Sequence, residues 1–290
     1  MRCSAPILRY RSVAPVHVID PLCPVRACAL PLLRRGRAWR CARGHSFDLA
    51  ASGYCNLLQP QDRRAKAPGD SAEAARARRR WLEGGRGEPL RRALEDCVEG
   101  VGITAGDAIL DSGCGEGFFL AALARRFGLD ACGVDISSAA VDAAARRHRG
   151  ILWLVANADR RLPFADGTFR LALSVCGRLN APELRRVLAP GGALIAAVPG
   201  PDDLVELRAA VLGQGLLPDR GARVLRETAA RFTLERRTGV RATIELDAAA
   251  IADALALSYR GARRSQQARA AGLPGITATQ SFELLVLRPR

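Results

Sequence analysis

The segment Ala108-Ile-Leu-Asp111-Ser-Gly113-Cys-Gly115-Glu116-Gly117-Phe118 decides the fold class. An apolar run closes on an acid, three glycines follow at alternate positions, and residues 119–127 are helix-forming. The pattern reads as strand, tight turn and helix. Glycines let the main chain turn sharply and let a ligand approach it without Cβ interference. The helix start behind them presents unpaired N–H groups. A dinucleotide fingerprint requires glycine at relative positions one, three and six. Position six here is Phe118, which would obstruct the close approach that a pyrophosphate needs, so a dinucleotide site is excluded.

Outward from this turn the texture is strands alternating with Ala-rich helices. Strands are expected at 131–137, 151–159, 170–176 and 191–199, and helices at 139–148, 182–188 and 202–212. Repeated β-α units predict an α/β fold, a parallel sheet with helices on both faces. Beyond Gly213 the signal weakens: 231–246 reads as a strand pair, 248–257 as a helix and 280–289 as a final strand. Upstream, helices are expected at 72–82 and at 89–98, the second with Pro at its first turn. Residues 60–72 are polar and read as a linker, and 1–20 show no usable periodicity. The chain therefore divides into an extension (1–20), a small Cys-rich module (21–60), a linker with helices (61–100) and a large α/β domain (101–290).

With 49% apolar and 25% charged residues in 290, the composition supports a real core and excludes wholesale disorder. No apolar run approaches the roughly 18–20 residues that cross a bilayer, and the first twenty residues lack the apolar stretch of an export signal. A cytoplasmic protein is expected. The net charge of +15 is unevenly placed: residues 1–80 hold 16 Lys+Arg against 5 Asp+Glu. A cationic field concentrated at one end favours a polyanion, and nucleic acid is the abundant one. Arg34, Arg35, Arg37, Arg40 and Arg43, with Arg76, Arg78, Arg79 and Arg80, are the expected phosphate contacts.

Seven of the nine cysteines fall into two groups, with Cys3 and Cys55 in neither. Cys97, Cys114, Cys132 and Cys176 lie in apolar stretches and read as reduced core residues. Cys23, Cys28 and Cys41 crowd near His45, and three thiolates with one imidazole are the ligand mix of tetrahedral zinc. A closed site of this kind would stabilise a module too small to fold unaided. Four residues separate Cys23 from Cys28 where two are commoner, and Cys55 is the substitute ligand should Cys23 stand apart.

The turn Asp111-x-Gly113-x-Gly115-x-Gly117 resembles that of S-adenosylmethionine-dependent methyltransferases, and 162–169 (LPFADGTF) resembles a signature of the same superfamily, with Arg170 in place of its usual Asp. In such a site Asp111, Gly113, Gly115, Glu116 and Gly117 cradle the methyl donor. Asp135, 22 positions after Gly113, would accept the ribose hydroxyls, and Asn157 and Asp159 would meet the adenine. The order CARGHSFDLAASGYCNLLQP (41–60), APGDSAEAARARRRWLEGGRGEPL (67–90) and DSGCGEGFF (111–119) resembles the 23S rRNA (guanine-N1)-methyltransferases of the RlmA/TlrB type.

That resemblance implies a Rossmann-like methyltransferase domain behind a zinc module, with Cys23, Cys28, Cys41 and His45 as the zinc ligands. It implies methyl transfer to N1 of a guanine in a hairpin of large-subunit rRNA, gripped by the basic N-terminal region, and it leaves room for a homodimer. The chain departs from the family at Val25 (a Cys there), at Gly85-Arg86-Gly87 (Gly-His-Tyr), at Gly177-Arg178 (Ala-Pro) and at Asp203-Leu204 (His-Leu). Two alternatives stay open: a different RNA site or a small-molecule acceptor, and a non-catalytic RNA-binding paralogue. No side chain identifies itself as the base that takes the N1 proton.

Overall fold

The computed structural model describes residues 19–62, 69–213, 215–257 and 264–290. Most of the expected extension, with His17 and Cys3, lies outside these residues, as does Lys66.

The N-terminal module is a three-stranded antiparallel sheet of β1 (Leu33–Arg35), β2 (Ala38–Arg40) and β3 (Ser46–Asp48). Next come β4 (Cys55–Asn56), a 3-10 turn at Pro60–Asp62, α1 (Ala72–Trp81) and α2 (Glu88–Gly100). The α/β domain continues with β5 (Ala108–Ser112), α3 (Phe118–Phe127), β6 (Asp130–Asp135), α4 (Ser138–Arg147) and β7 (Leu152–Val155). Then follow β8 (Phe169–Val175), α5 (Ala181–Val187), β9 (Leu188–Pro199), α6 (Val205–Leu212) and α7 (Arg220–Thr228). The chain closes with β10 (Phe232–Asp247), α8 (Ala248–Ala256), α9 (Arg264–Ala271) and β11 (Gly275–Pro289).

One eight-stranded sheet runs β10-β11-β9-β8-β5-β6-β7-β4. β4 to β9 pair in parallel, and β11 and β10 add antiparallel strands at one edge. β5 is buried at every position, as expected of a strand covered on both faces. The chain leaves β5 toward β6 and β7, then returns to β8 on the other side. The carboxyl ends of β5 and β8 therefore border a topological switch point, where open α/β sheets bind ligands.

The N-terminal module is not a separate body hanging on a linker. Cys23, Leu32, Trp39 and Cys41 share one buried cluster with Leu110, Leu154, Phe164 and Phe169 of the large domain. β4 extends the main sheet, Cys55 pairing with Leu154. Helix α2 lies in the other main cluster, its Leu90, Leu94 and Val98 with Ile109 and Leu120.

Beyond residue 213 one reading is corrected, and two helices, α7 and α9, lie where none is expected. The expected strand pair is one continuous strand, β10, whose antiparallel partner is β11. A hairpin there would need a positive-φ turn, and Gly239 runs extended opposite Glu283 instead. Helix α7 was not foreseen, although Asp219 caps it by accepting the Ala222 N–H at 2.7 Å.

Candidate functional site

In the N-terminal module the backbone turns bring four ligand atoms together. The Cys28 N–H donates to Val25 O at 2.9 Å, the Gly44 N–H to Cys41 O at 3.0 Å, and the Cys41 N–H to His45 O at 3.1 Å. The Sγ atoms of Cys23, Cys28 and Cys41 and one nitrogen of His45 all lie within 4.8 Å of one another. His45 Nδ1 is 3.4 Å from the sulfurs of both Cys23 and Cys41, and Cys28 Sγ is 3.8 Å from Cys41 Sγ.

A tetrahedral zinc with Zn–S of about 2.3 Å and Zn–N of about 2.0–2.1 Å sets sulfur–sulfur edges near 3.8 Å and sulfur–nitrogen edges near 3.5 Å. The donor set and its spacing fit that ion. The wider interval between Cys23 and Cys28 is absorbed by left-handed backbone at Ala27 (φ 61°) and Ala29 (φ 47°), on either side of Cys28. Cys55 stands apart from the cluster, buried on β4 with its thiol 3.8 Å from Phe47 O, so it is no substitute for Cys23.

At the switch point, Gly113, Gly115 and Gly117 all hold positive φ (89°, 56° and 82°). A Cβ on Gly113 would come within 3.7 Å of the Cα of Gly177, at the end of β8. Asp111 ends inside the protein, and its Oδ1 has no hydrogen-bond partner. Burial, with Asp135 beside it, pushes its pKa up to about 7. Burial likewise holds Glu116 at about 6, opposed by Arg78. An orphaned acceptor beneath bare main chain suits a cationic ligand, and S-adenosylmethionine carries both a sulfonium and an ammonium group.

Asp135 accepts the Gly115 N–H at 2.9 Å with Oδ2 and the Ser137 N–H at 2.8 Å with Oδ1, so each oxygen keeps capacity for another donor. Asn157 donates to Asp62 O at 2.9 Å and accepts the Asp159 N–H at 3.0 Å. Asp159 is exposed, and its carboxylate faces Arg178 at 3.0 Å.

Several residues at this site carried no assigned role in the sequence. Gly69 packs on Ser137, whose hydroxyl donates to Asp70 O at 2.7 Å. Asp70 in turn holds Arg78 at 2.6 Å, which sets that guanidinium over Gly115. Their signal was the Pro-Gly-Asp-Ser stretch, quoted above for resemblance alone. Gly87 faces the ring of Phe118, 2.9 Å from where a Cβ would lie, so Phe118 fills the space a larger residue at 87 would need. Cys176 is corrected from core to exposed residue.

Two family models match the chain: "RlmA, N-terminal" over residues 22–66 and "Methyltransferase domain" over 109–192. The 23S rRNA (guanine(748)-N(1))-methyltransferase of Streptomyces fradiae is 36% identical over 272 residues, spanning 90% of this chain and 95% of that protein. The chain belongs to the 23S rRNA (guanine-N1)-methyltransferase family. A Micromonospora griseorubida protein provisionally named for the same family is 38% identical over 208 residues, covering 64% of this chain and 67% of its own length. As in that family, a zinc ribbon precedes an S-adenosylmethionine-dependent methyltransferase domain. No described helix is long and apolar enough to cross a membrane.

Proposed function

We propose that this chain transfers the methyl group of S-adenosylmethionine to N1 of a guanine in large-subunit ribosomal RNA. The observation that carries the reading is the docking of a Cys₃His cluster and its arginine-bearing hairpin onto the buried cluster that holds Leu110 of β5, the strand leading into the glycine turn. The methyl donor is seated by Asp111, Gly113, Gly115, Glu116, Gly117 and Asp135, with Asn157 at the adenine end. Asp159, expected there too, also faces Arg178 at 3.0 Å. Bound S-adenosylmethionine supplies an activated methyl group, and the protein aligns acceptor with donor and excludes water.

Zinc held by Cys23, Cys28, Cys41 and His45 is structural, because four protein ligands leave no open position. RNA is held by the basic face of the N-terminal module. Arg34, Arg35 and Arg37 are exposed and form no ion pair among the described residues. On α1, by contrast, Arg78, Arg79 and Arg80 are engaged by Asp70, Glu83 and Asp253. Arg78, Arg79 and Arg80 are therefore set aside as phosphate contacts, while Arg76 on the same helix is exposed with no ion pair among the described residues. The units this reading uses are 21–60 for the zinc module and 101–290 for the methyltransferase domain. The reading places the chain in the cytoplasm, and the homodimer it admits is measured by gel filtration with and without RNA.

The test is mass mapping of large-subunit RNA lacking the modification, after incubation with purified chain and S-adenosylmethionine. The expected product is N1-methylguanine at one position, lost with Gly115→Arg, whose side chain would enter the cradle. Incorporation unchanged by that variant, or appearing only in a small molecule, overturns the reading.

A further inference from the structure

Asp203 follows the carboxyl end of β9, on the edge of the sheet where the glycine turn follows β5. Cys176 (φ 54°) and Leu204 (φ 50°) hold left-handed backbone that non-glycine residues rarely adopt. They flank the carboxyl ends of β8 and β9, across the switch point from Asp135. At Leu204 the turn lets its N–H reach Thr279 O at 2.6 Å, and it brings Asp203 against β11. There Asp203 Oδ1 accepts the Ser281 N–H at 2.9 Å, while Oδ2 has no hydrogen-bond partner among the described residues.

The charged and titratable groups around Asp203 come from every neighbouring element. Arg208 belongs to α6, Arg220 to α7 and Cys176 to the end of β8. Asp202 precedes it in the loop and is itself paired with Arg241 of β10 at 2.9 Å. Arg78, which lies over Gly115, and Asp203 both act on the Cys176 thiol, which places Asp203 within electrostatic reach of the glycine-turn side of the sheet.

Guanine N1 carries a proton at neutral pH, and its methylation requires an acceptor for that proton. We propose that Asp203 takes the N1 proton of the acceptor guanine as the methyl group is transferred. The inference rests on the guanine-N1 reading above. The N1–H bond breaks and its proton passes to Asp203 Oδ2. The nitrogen electron pair forms the new bond to the methyl carbon, and the carbon–sulfur bond breaks with its pair left on sulfur, which becomes a neutral thioether. Burial, partly offset by the Ser281 N–H and Arg208, sets the Asp203 pKa at about 6. A base poised just below neutrality is ionised at working pH and still basic enough to accept the proton.

The alternative is that Asp203 only caps the Ser281 N–H, and Asp203→Asn separates the two roles. An asparagine oxygen still accepts from Ser281 but is no base. First, mass mapping establishes that the wild-type chain methylates N1. A wild type that methylates another atom overturns the functional reading, and the Asp203 assignment with it, before any variant is compared.

With N1 confirmed, the expected single-turnover rate of Asp203→Asn is down by about 100-fold or more, within the usual range for a lost general base. RNA and S-adenosylmethionine affinities stay close to wild type, the variant melts no lower than wild type at pH 7.5, and Asp203→Glu recovers part of the rate. The wild-type rate rises about tenfold per pH unit below pH 6, and that limb is absent in Asp203→Asn. Independently of turnover, the infrared difference between wild type and Asp203→Asn shows a protonated-carboxyl band that fades near pH 6. A variant rate within about threefold of wild type across the pH range, or a carboxyl that titrates near its ordinary 3.9, overturns the assignment.

Discussion

Asp111, Glu116, Asp135 and Asp203 all ionise above the ordinary carboxylate range, each chiefly because it is buried. An acid whose pKa is raised on folding binds more protons folded than unfolded, so its contribution to stability declines as pH rises through the interval between the two values. For Asp111 that interval runs from about 4 unfolded to about 7 folded. The carboxylates held below their ordinary range, Glu88 and Glu235 among them, have given their full contribution well below pH 5.5 and do not mask the effect. His148, lowered by burial, works in the opposite sense. The cofactor-free chain is therefore expected to lose several degrees of melting temperature relative to Asp111→Asn between pH 5.5 and 7.5. S-adenosylmethionine should stabilise the wild type more at 7.5 than at 5.5. Parallel melting profiles for the two proteins in differential scanning fluorimetry would remove the electrostatic basis of the cofactor seat. A second residue-scale constraint is steric: the Trp153 ring lies within 2.4 Å of a Cβ on Gly117 and within 2.3 Å of one on Gly133. Gly133→Val, opposite Asp111 on the neighbouring strand, is expected to destabilise the fold by overpacking.

At the scale of elements, α1 and the β1–β2 hairpin are both rich in arginine, yet α1 commits three of its four arginines to ion pairs, and among the described residues the hairpin commits none. Helix α1 is capped by Ser71, whose hydroxyl accepts the Ala74 N–H at 3.1 Å. It is tied to α8 by a two-pronged contact of Arg80 with Asp253, whose side chain is only 11% exposed. Arg80→Ala strands that carboxylate and is expected to lower the melting temperature with little change in the salt dependence of RNA binding. Replacing Arg34, Arg35 and Arg37 together by Ala should do the reverse. Affinity falls by roughly tenfold or more at low salt, and the slope of log affinity against log salt becomes shallower by about 2 units, because each phosphate neutralised by an arginine releases nearly one counterion. Filter binding over a salt series separates the two, and an unchanged slope in the hairpin variant would locate the RNA elsewhere.

At the scale of the whole molecule, the zinc module and the sheet share a buried cluster, so metal loss is expected to be felt beyond the ribbon. Purified chain should contain about one zinc per molecule. Chelation, or Cys28→Ser, should lower the melting temperature of the entire chain in calorimetry, with no separate transition for the module. A ribbon that unfolds alone while the large domain melts unchanged would show the shared cluster to contribute little.

The order of β-α units, the glycine turn and Cys28, Cys41 and His45 of the Cys/His cluster were legible in the linear chain, because each rests on local requirements: apolar runs, positive-φ backbone and the ligand chemistry of one ion. What only the tertiary structure decided was non-local. The choice between Cys23 and Cys55 turned on which loop faces His45. The 231–246 segment became one strand because its partner lies some forty residues downstream, a pairing that periodicity cannot reveal. Arg78 and Arg34 look alike in sequence, but the fold places an acid against one and solvent around the other. Asp203 stood out from the sequence only as a departure from the family. Its place across the cleft from the glycine turn follows from crossovers that bring the ends of β5, β8 and β9 to one edge, so side chains distant in sequence meet where the main chain changes direction.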